Sequence, residues 1–210
     1  AQTDKENAMQ KGRLFVISGP SGAGKGTICK EILENENIRL SVSMTTRAPR
    51  DGEIDGVNYF FVSKEEFQKI IEERGFLEYA EVYGNFYGTP KMEVMDMMNA
   101  GIDVVLEIDI QGALQIKEAY PEAVFIFILP PSMSELRKRI TGRGSETEES
   151  LELRLGETLN EIAYIDKYDY CVVNGELQDA VNRVTAIIMA EHSRVSEDVY
   201  KIIERYKEEL

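Results

Sequence analysis

Nine consecutive residues near the start of the chain, Gly19 to Thr27, combine glycines with a lysine and a threonine (GPSGAGKGT). The apolar run at 14–18 predicts a buried strand before them, and apolar residues at positions 28, 32 and 33 predict a helix after them. Glycines adopt backbone dihedrals that other residues avoid, so successive N–H groups can point at one anion. The helix start adds partial positive charge, and Lys25 adds a full one. The run therefore predicts a phosphate-binding loop, whereas a plain glycine turn, the alternative, would not need the lysine.

The residue after Lys25 departs from the usual pattern of such loops. The spacing matches G-x(4)-G-K, but Gly26 stands where a serine or threonine normally follows. That hydroxyl normally binds a magnesium ion. Thr27 comes one residue later, which turns its side chain by about 100° around a helix. We therefore expect Thr27 to face a phosphate, and a metal to be held mostly by nucleotide oxygens and water.

A second cluster of anion-binding residues lies at 43–50 (SMTTRAPR). Arg47 and Arg50 are three residues apart in a proline-containing loop, and each guanidinium can bind a phosphate through two parallel hydrogen bonds. Polar side chains further along that could complete a site are Tyr59, Glu78, Tyr87 and Thr89. Each of these alone could be an ordinary surface residue. Together with the glycine loop, they favour a second nucleotide site.

The overall charge limits the classes of partner. The chain has 24 Lys and Arg against 38 Asp and Glu, a formal net charge of −14, which argues against non-specific binding to nucleic acid or anionic membranes. The longest apolar run, 123–129, is far too short to span a bilayer, and the first residues show no signal-peptide pattern. We therefore expect a cytoplasmic protein.

The cysteines and the histidine do not suggest a metal centre. Cys29 and Cys171 fall in a predicted helix and a predicted strand, and we interpret both as small buried residues in a reducing cytosol. The chain has one histidine, His192, near the end of a polar helix. A zinc site or a histidine-dependent catalytic triad is therefore not expected.

Alternating strands and helices predict a parallel sheet with right-handed crossovers, whose ligands gather beyond the carboxyl ends of the strands. Residues 38–88 interrupt this alternation and predict a small mixed α+β insertion. The predicted organisation is a flexible leader at 1–11, a core at 12–37 and 89–210 with a lid at about 140–156, and the insertion at 38–88. The sequence also predicts capping boxes at 63–66 and 132–135. Thr89 and Pro90 are predicted to be the cap and first residue of a helix whose methionines pack in the core (Met92, Met95, Met98). The last segment predicts an amphipathic helix that packs on its own core, the favoured interpretation, or on a partner subunit (Val195, Val199, Ile202, Tyr206, Leu210).

Six motifs, taken in order, resemble those of the guanylate kinases, a branch of the nucleoside-monophosphate kinases. They are GPSGAGKGT, SMTTRAPRDGE, FLEYA, GNFYGTP, LEIDIQGA and RGSETEES, and the resemblance covers roughly residues 12–192. It implies an α/β fold of the P-loop kinase type and Mg²⁺-dependent, reversible transfer of the ATP γ-phosphoryl group to GMP. The implied partners are ATP/ADP, GMP/GDP and dGMP, and the chain is expected to be a monomer or a small homo-oligomer.

The resemblance also implies roles for individual residues. The implied ATP-binding residues are Gly19, Pro20, Ser21, Gly22, Ala23, Gly24, Lys25, Gly26, Thr27 and Asn174. The implied GMP-binding residues are Ser43, Arg47, Arg50, Tyr59, Glu78, Tyr87, Thr89 and Asp109. The implied catalytic residues are Lys25, Arg47, Arg139, Arg143 and Arg154. Glu107 is the metal candidate, directly or through water, at a position where the family often has Asp.

The chemistry of guanine agrees with these residues. Guanine presents N1–H and N2–H₂ donors side by side, and the Glu78 carboxylate can accept from both, whereas adenine would leave it unpaired. The GMP phosphate is already ionised at pH 7, so no general base is required. Two other functions remain open: a catalytically inactive phosphopeptide-binding module, and a kinase for another acceptor such as AMP or a sugar phosphate. Lys25 and the lid arginines argue against the first, and Glu78 with Ser43 and Thr89 argues against the second.

Overall fold

The computed structural model describes residues 11–142 and 147–210. The predicted leader, apart from its last residue, and Arg143 of the predicted lid lie outside the described residues. Among the described residues, no helix is both long and apolar enough to cross a membrane.

A parallel sheet forms the centre of the molecule. Its middle strand β1 (Leu14–Ser18) pairs on one side with β7 (Asp103–Glu107) and on the other with β8 (Val124–Leu129). Outside these lie β2 (Ile38–Leu40) and β9 (Tyr170–Val173), which gives the order β2-β7-β1-β8-β9. Every residue of β1 is buried, as expected for a strand covered on both faces. The predicted parallel α/β core is therefore confirmed.

Helices cover both faces of this sheet because successive strand residues point to opposite sides. Phe15 and Ile17 pack in a core with helices α1 (Lys25–Ile32) and α7 (Leu177–His192). Leu14 and Val16 pack in a second core with α3 (Lys91–Asn99) and α4 (Ile110–Ala119). The remaining described helices of this part are α5 (Met133–Thr141), α6 (Glu148–Ile162) and a short 3₁₀ helix (Ile165–Lys167).

A second, smaller sheet lies in the interval predicted as an insertion. Its strands are β3 (Met44–Thr45), β4 (Phe60–Phe61), β5 (Phe76–Val82) and β6 (Asn85–Pro90), in the order β4-β3-β6-β5. Helix α2 (Lys64–Glu72) begins with the predicted capping box of Ser63 and Glu66, which is confirmed. Phe67 of α2 packs between Phe76 and Phe86 at ring-centroid distances of 4.3 and 5.4 Å. These rings attach the helix to the small sheet.

The strand pairing differs from the predicted division at both ends of the insertion. Strand β2 pairs with β7 in the central sheet, although the boundary at residue 38 assigned it to the insertion. Thr89 and Pro90 are the last residues of β6, where Thr89 pairs with Glu78 and Pro90 with Phe76. Helix α3 therefore begins at Lys91 with Pro90 as its cap, not with Thr89 as the cap. Strand pairing outweighs the local capping signal here.

Four other sequence expectations had mixed outcomes. Met98 is buried and Met95 partly so, but Met92 is 75% exposed and does not pack. Ser132 accepts a hydrogen bond from the Glu135 N–H, as a helix cap should, but among the described residues the return bond from the Glu135 side chain that would complete the predicted box does not form. Cys29 is buried as predicted, but Cys171 is exposed, on the face of β9 opposite the buried Val172.

The C-terminal helix α8 (Glu197–Glu208) has no buried residue. The favoured expectation, that its apolar stripe packs on its own core, is therefore wrong for this structure. Ile202 and Tyr206 are 37% and 60% exposed. The 3.6-residue periodicity identifies an apolar face, but it does not say which surface covers that face. Packing against a partner subunit remains a prediction.

Candidate active site

A cleft of about 850 Å³, here called the loop cavity, opens beyond the carboxyl ends of the central strands. Its wall contains most of the glycine loop, together with charged and polar residues from several later elements. These later residues are Glu107, Asp109, Arg139, Arg154, Glu161 and Asn174. The position agrees with the rule that ligands of open parallel sheets bind at this edge.

The glycine loop is braced from behind by Asn174, which follows β9. The Asn174 side-chain amide is buried and donates a hydrogen bond of 2.8 Å to the carbonyl of Ala23. Gly24 has φ of 90°, and a Cβ there would lie 2.3 Å from Asn174 Nδ2. Glycine is therefore required at this position both for its dihedral and for its lack of a side chain. The visible role of Asn174 is to hold the loop, and its predicted contact with ATP stays a prediction.

Lys25, the first residue of α1, points its ammonium group back across the loop and donates a hydrogen bond to the carbonyl of Gly19. Burial lowers the pKa of Lys25, while the nearby carboxylates Glu107, Glu161 and Asp109 oppose that shift. Burial costs the cation its hydration, and the carboxylates favour the protonated form. Lys25 is thus positioned as a fixed cation at the mouth of the loop.

Two of the predicted arginines reach the loop cavity from different helices. Arg139 of α5 donates to the carbonyl of Asn174 at 3.3 Å, and its Nε lies 3.4 Å from Glu135. Arg154 of α6 donates to the hydroxyl of Ser21 at 3.4 Å. The structure therefore brings together Lys25, Arg139 and Arg154 around one space. Arg143 lies outside the described residues.

A second cavity of about 430 Å³, here called the insertion cavity, lies between the central sheet and the small sheet. Six of the eight predicted GMP-binding residues line it: Ser43, Tyr59, Glu78, Tyr87, Thr89 and Asp109. Glu107 and Asp109 line both cavities. A group bound in one cavity therefore faces a group bound in the other across these two carboxylates.

Glu78 is a partly buried carboxylate in the wall of the insertion cavity. Its Oε1 accepts a hydrogen bond of 2.7 Å from the hydroxyl of Thr89, directly across the β5–β6 pairing. Burial raises the pKa of Glu78, the Thr89 hydrogen bond lowers it, and the charge of Asp109 adds a further rise. On the next residue of β5, Tyr79 exchanges two backbone hydrogen bonds with the amide of Gln115 on α4, at 3.2 and 3.1 Å. These contacts fix Glu78 against the central domain.

Neither predicted phosphate-binding arginine is among the residues that line the insertion cavity. Arg47 makes a bidentate ion pair with Glu53 at 3.0 and 2.9 Å and lies 5.4 Å from the ring centroid of Tyr59. The hydrogen bonds to Glu53 and Tyr87 raise the pKa of Arg47. Arg50 is exposed, and its backbone N–H donates to the same Glu53. Arg47 thus lies behind the tyrosine wall of the cavity, and Arg50 lies outside it.

Sequence reasoning missed several polar residues in these cavities, and Glu161 and Ser41 are the most informative of them. Glu161 lines the loop cavity, and its position seven residues after Arg154 places both on one face of α6. Ser41 lines the insertion cavity, is 6% exposed, and its hydroxyl has no hydrogen-bond partner among the described residues. Its place just after β2, at the carboxyl end of a parallel strand, was the available signal.

Comparison with known proteins agrees with this geometry. A family model described as guanylate kinase matches residues 11–191. A guanylate kinase of Clostridium tetani is 62% identical over 187 residues, covering 89% of this chain and 90% of that protein. A guanylate kinase of Clostridioides difficile is 56% identical, covering 96% of this chain and 99% of that one.

A solved structure gives the same result. The crystal structure of guanylate kinase from Anaplasma phagocytophilum superposes with a TM-score of 0.66 at 38% identity, covering 89% of each chain. With a glycine loop and a partly buried carboxylate facing each other across shared acidic residues, the chain belongs to the guanylate kinase family.

Proposed function

We infer that this chain transfers the terminal phosphoryl group of ATP to GMP, giving ADP and GDP. The observation that carries this inference is the pair of adjoining cavities, one built on the glycine loop and one on Glu78 and Thr89, with Glu107 and Asp109 between them. We assign ATP to the loop cavity, because the backbone N–H groups of the glycine loop and the Lys25 ammonium group can bind a polyphosphate. GMP is assigned to the insertion cavity.

Selection of guanine rests on Glu78. In its charged form, the carboxylate accepts hydrogen bonds from N1–H and N2–H₂ of guanine while it keeps the bond from Thr89. An adenine in the same place would leave a partly buried carboxylate without those donors, which is the arrangement that gives large discrimination. The acceptor oxygen on GMP is already ionised at pH 7, so the protein needs to position it rather than deprotonate it.

Charge neutralisation in the loop cavity falls to Lys25, Arg139 and Arg154. Negative charge spreads over the phosphoryl oxygens during transfer, and fixed cations stabilise it without reorganising. Arg47 and Arg50 are proposed to bind the GMP phosphate from the loop that Glu53 now holds. Arg47 already lies against the Tyr59 ring in the cavity wall, where its ion pair with Glu53 holds it.

The residues present also fit a magnesium ion brought with ATP. Among the described residues, no group of three His, Cys, Asp or Glu side chains could cage a metal by itself. Mg²⁺ bound with a nucleotide usually has one or two carboxylates, phosphate oxygens and water as ligands. Glu107 lines both cavities and can supply such a carboxylate. When bound, Mg²⁺ would supply charge neutralisation at the phosphates.

The test is an assay of ADP release with GMP, AMP, CMP and UMP offered in parallel. We expect turnover with GMP to exceed that with AMP by about 100-fold or more. No turnover with GMP, or equal use of AMP, would refute the assignment. The division into core, insertion and lid, the use of dGMP, a cytoplasmic location and an assembly no larger than a small homo-oligomer remain predictions. An assay with dGMP, cell fractionation and light scattering test the last three.

A further inference from the structure

Gly26 occupies the position at which other loops of this type place a metal-binding hydroxyl. A Cβ added at Gly26 would lie 3.4 Å from Oε1 of Glu107 and 3.8 Å from Oε2. These are ordinary van der Waals separations, so a methyl group would just fit against the carboxylate. A hydroxyl attached to that Cβ would extend into the region next to the same two oxygens. The Glu107 carboxylate therefore stands beside the space that a side chain at residue 26 would use.

Glu107 is well placed to supply an oxygen atom beside Gly26. It is the last residue of β7, and it is the one exposed residue of a strand whose other residues are buried. It borders both cavities, and of the three carboxylates near Lys25 it is the one whose charge does most to keep that lysine protonated. An oxygen donor at this place lies beside the first turn of α1, where the phosphates of a nucleotide in the loop cavity would end.

The length of the side chain at residue 107 is what links it to residue 26. An aspartate at 107 would withdraw the carboxylate by one C–C bond, about 1.5 Å. That withdrawal would leave a gap beside Gly26, and a hydroxyl at residue 26 would fill it. Two combinations thus place an oxygen atom in the same region. One is glycine at residue 26 with glutamate at residue 107, and the other is a hydroxyl at residue 26 with aspartate at residue 107.

We propose that Gly26 and Glu107 form a matched pair, in which Glu107 supplies to Mg²⁺ the protein oxygen that the loop lacks at residue 26. The proposal rests on the proposed ATP-dependent function and adds a specific coupling between two side chains. It predicts that Glu107→Asp alone harms metal binding, because residue 26 then supplies no oxygen in its place, and that adding Gly26→Ser restores it. Independent residues would give additive losses instead.

The test compares four proteins: the parent, Glu107→Asp, Gly26→Ser, and the double variant. Each is mixed with a non-hydrolysable ATP analogue, and binding of Mn²⁺ is measured from the EPR signal of the free ion. We expect Glu107→Asp to weaken Mn²⁺ binding about tenfold, a typical loss for a disturbed metal-site partner, and Gly26→Ser alone to stay within about threefold of the parent. The double variant should return to within about threefold of the parent. Additive losses in the double variant, or parental affinity in Glu107→Asp, would overturn the proposal.

Two controls separate this result from other causes. Glu157→Asp shortens an exposed carboxylate on α6 and should leave Mn²⁺ binding unchanged. Glu107→Gln keeps the side-chain length but removes the charge, and it should weaken Mn²⁺ binding while leaving the melting temperature near that of the parent. The measurement needs no acceptor nucleotide, so it stands even if GMP proves not to be the substrate. The parent's activity on GMP is scored separately.

Discussion

The loop cavity and the insertion cavity differ in how their walls are assembled from the chain. The largest contribution to the loop cavity comes from one uninterrupted segment, Gly19 to Thr27, which the buried side chain of Asn174 braces. The insertion cavity draws on short segments from residue 40 to residue 115, and its hydrogen-bonded pair, Glu78 and Thr89, meets only because β5 and β6 pair. One site is therefore a property of local sequence, and the other is a property of tertiary structure.

This difference leads to different expectations for substitutions. In the loop cavity, charge acts on the reacting phosphates, so a change should reduce turnover and spare GMP binding. In the insertion cavity, side chains select the acceptor, so a change should reduce affinity or selectivity and spare ATP binding. The following four substitutions, from the largest expected effect to the smallest, test this separation.

Lys25→Ala should produce the largest loss. Removal of a fixed cation beside the transferring group should lower kcat by about 10²–10³-fold, as for other single groups that stabilise transition-state charge. GMP affinity, measured by calorimetry, should stay within about twofold, since Lys25 does not line the insertion cavity. Lys30→Ala, an exposed lysine on the same helix, is the matched control. Unchanged turnover in Lys25→Ala would show that the glycine loop is not the donor site.

Glu78→Gln should have the opposite effect to Lys25→Ala, because it should reduce GMP affinity more than turnover. The amide has one fewer acceptor for guanine, so GMP affinity should fall by about 100-fold and the preference over AMP should shrink. Glu81→Gln, an exposed change on the same strand, is the control. A variant that still excluded AMP as strongly as the parent would remove Glu78 from base recognition.

The same substitution has an opposite effect on stability. Burial raises the pKa of Glu78 above its ordinary 4.5, so the ionised carboxylate destabilises the folded state. That destabilisation is complete above the raised pKa and vanishes below 4.5, where the side chain is neutral in both states. Ligand-free Glu78→Gln should therefore melt at a higher temperature than the parent at pH 7, and the gap should close as pH falls. An equal gap at all pH values would contradict this.

The sequence predicted much of this arrangement, and its failures have a common cause. Local signals placed four of the five strands of the central sheet, the glycine loop and the Ser63 capping box correctly, since each depends on neighbours in the chain. The boundary at 38 and the cap at Thr89 depended on which strands pair, and the burial of Cys171 depended on which face of β9 is covered. The buried, unpaired hydroxyl of Ser41 could likewise not be predicted without knowing where the small sheet lies.

Glu53→Gln should have a moderate effect that distinguishes two roles for Glu53. If Glu53 positions Arg47 behind the tyrosine wall, loss of the bidentate pair should weaken GMP binding about fivefold with little change in kcat. If Glu53 instead competes with the GMP phosphate, binding should tighten. We expect the weaker binding, because Arg47 also contacts Tyr59 and Tyr87 in its present position. Glu65→Gln, an exposed acid at the start of α2, is the control.

Ser41→Ala should have the smallest effect, and its direction in two measurements is informative. The Ser41 hydroxyl is buried without a partner, so its removal should relieve an unfavourable burial and raise the melting temperature of the ligand-free protein slightly. If the hydroxyl is kept for the acceptor, the same change should weaken GMP binding about threefold, because the ligand loses a hydrogen bond. A purely structural serine would lower both stability and affinity, or neither. Opposite signs in the two measurements would therefore show that Ser41 belongs to the acceptor site. The sequence alone does not identify such residues, because separate segments of the chain form the wall of the insertion cavity.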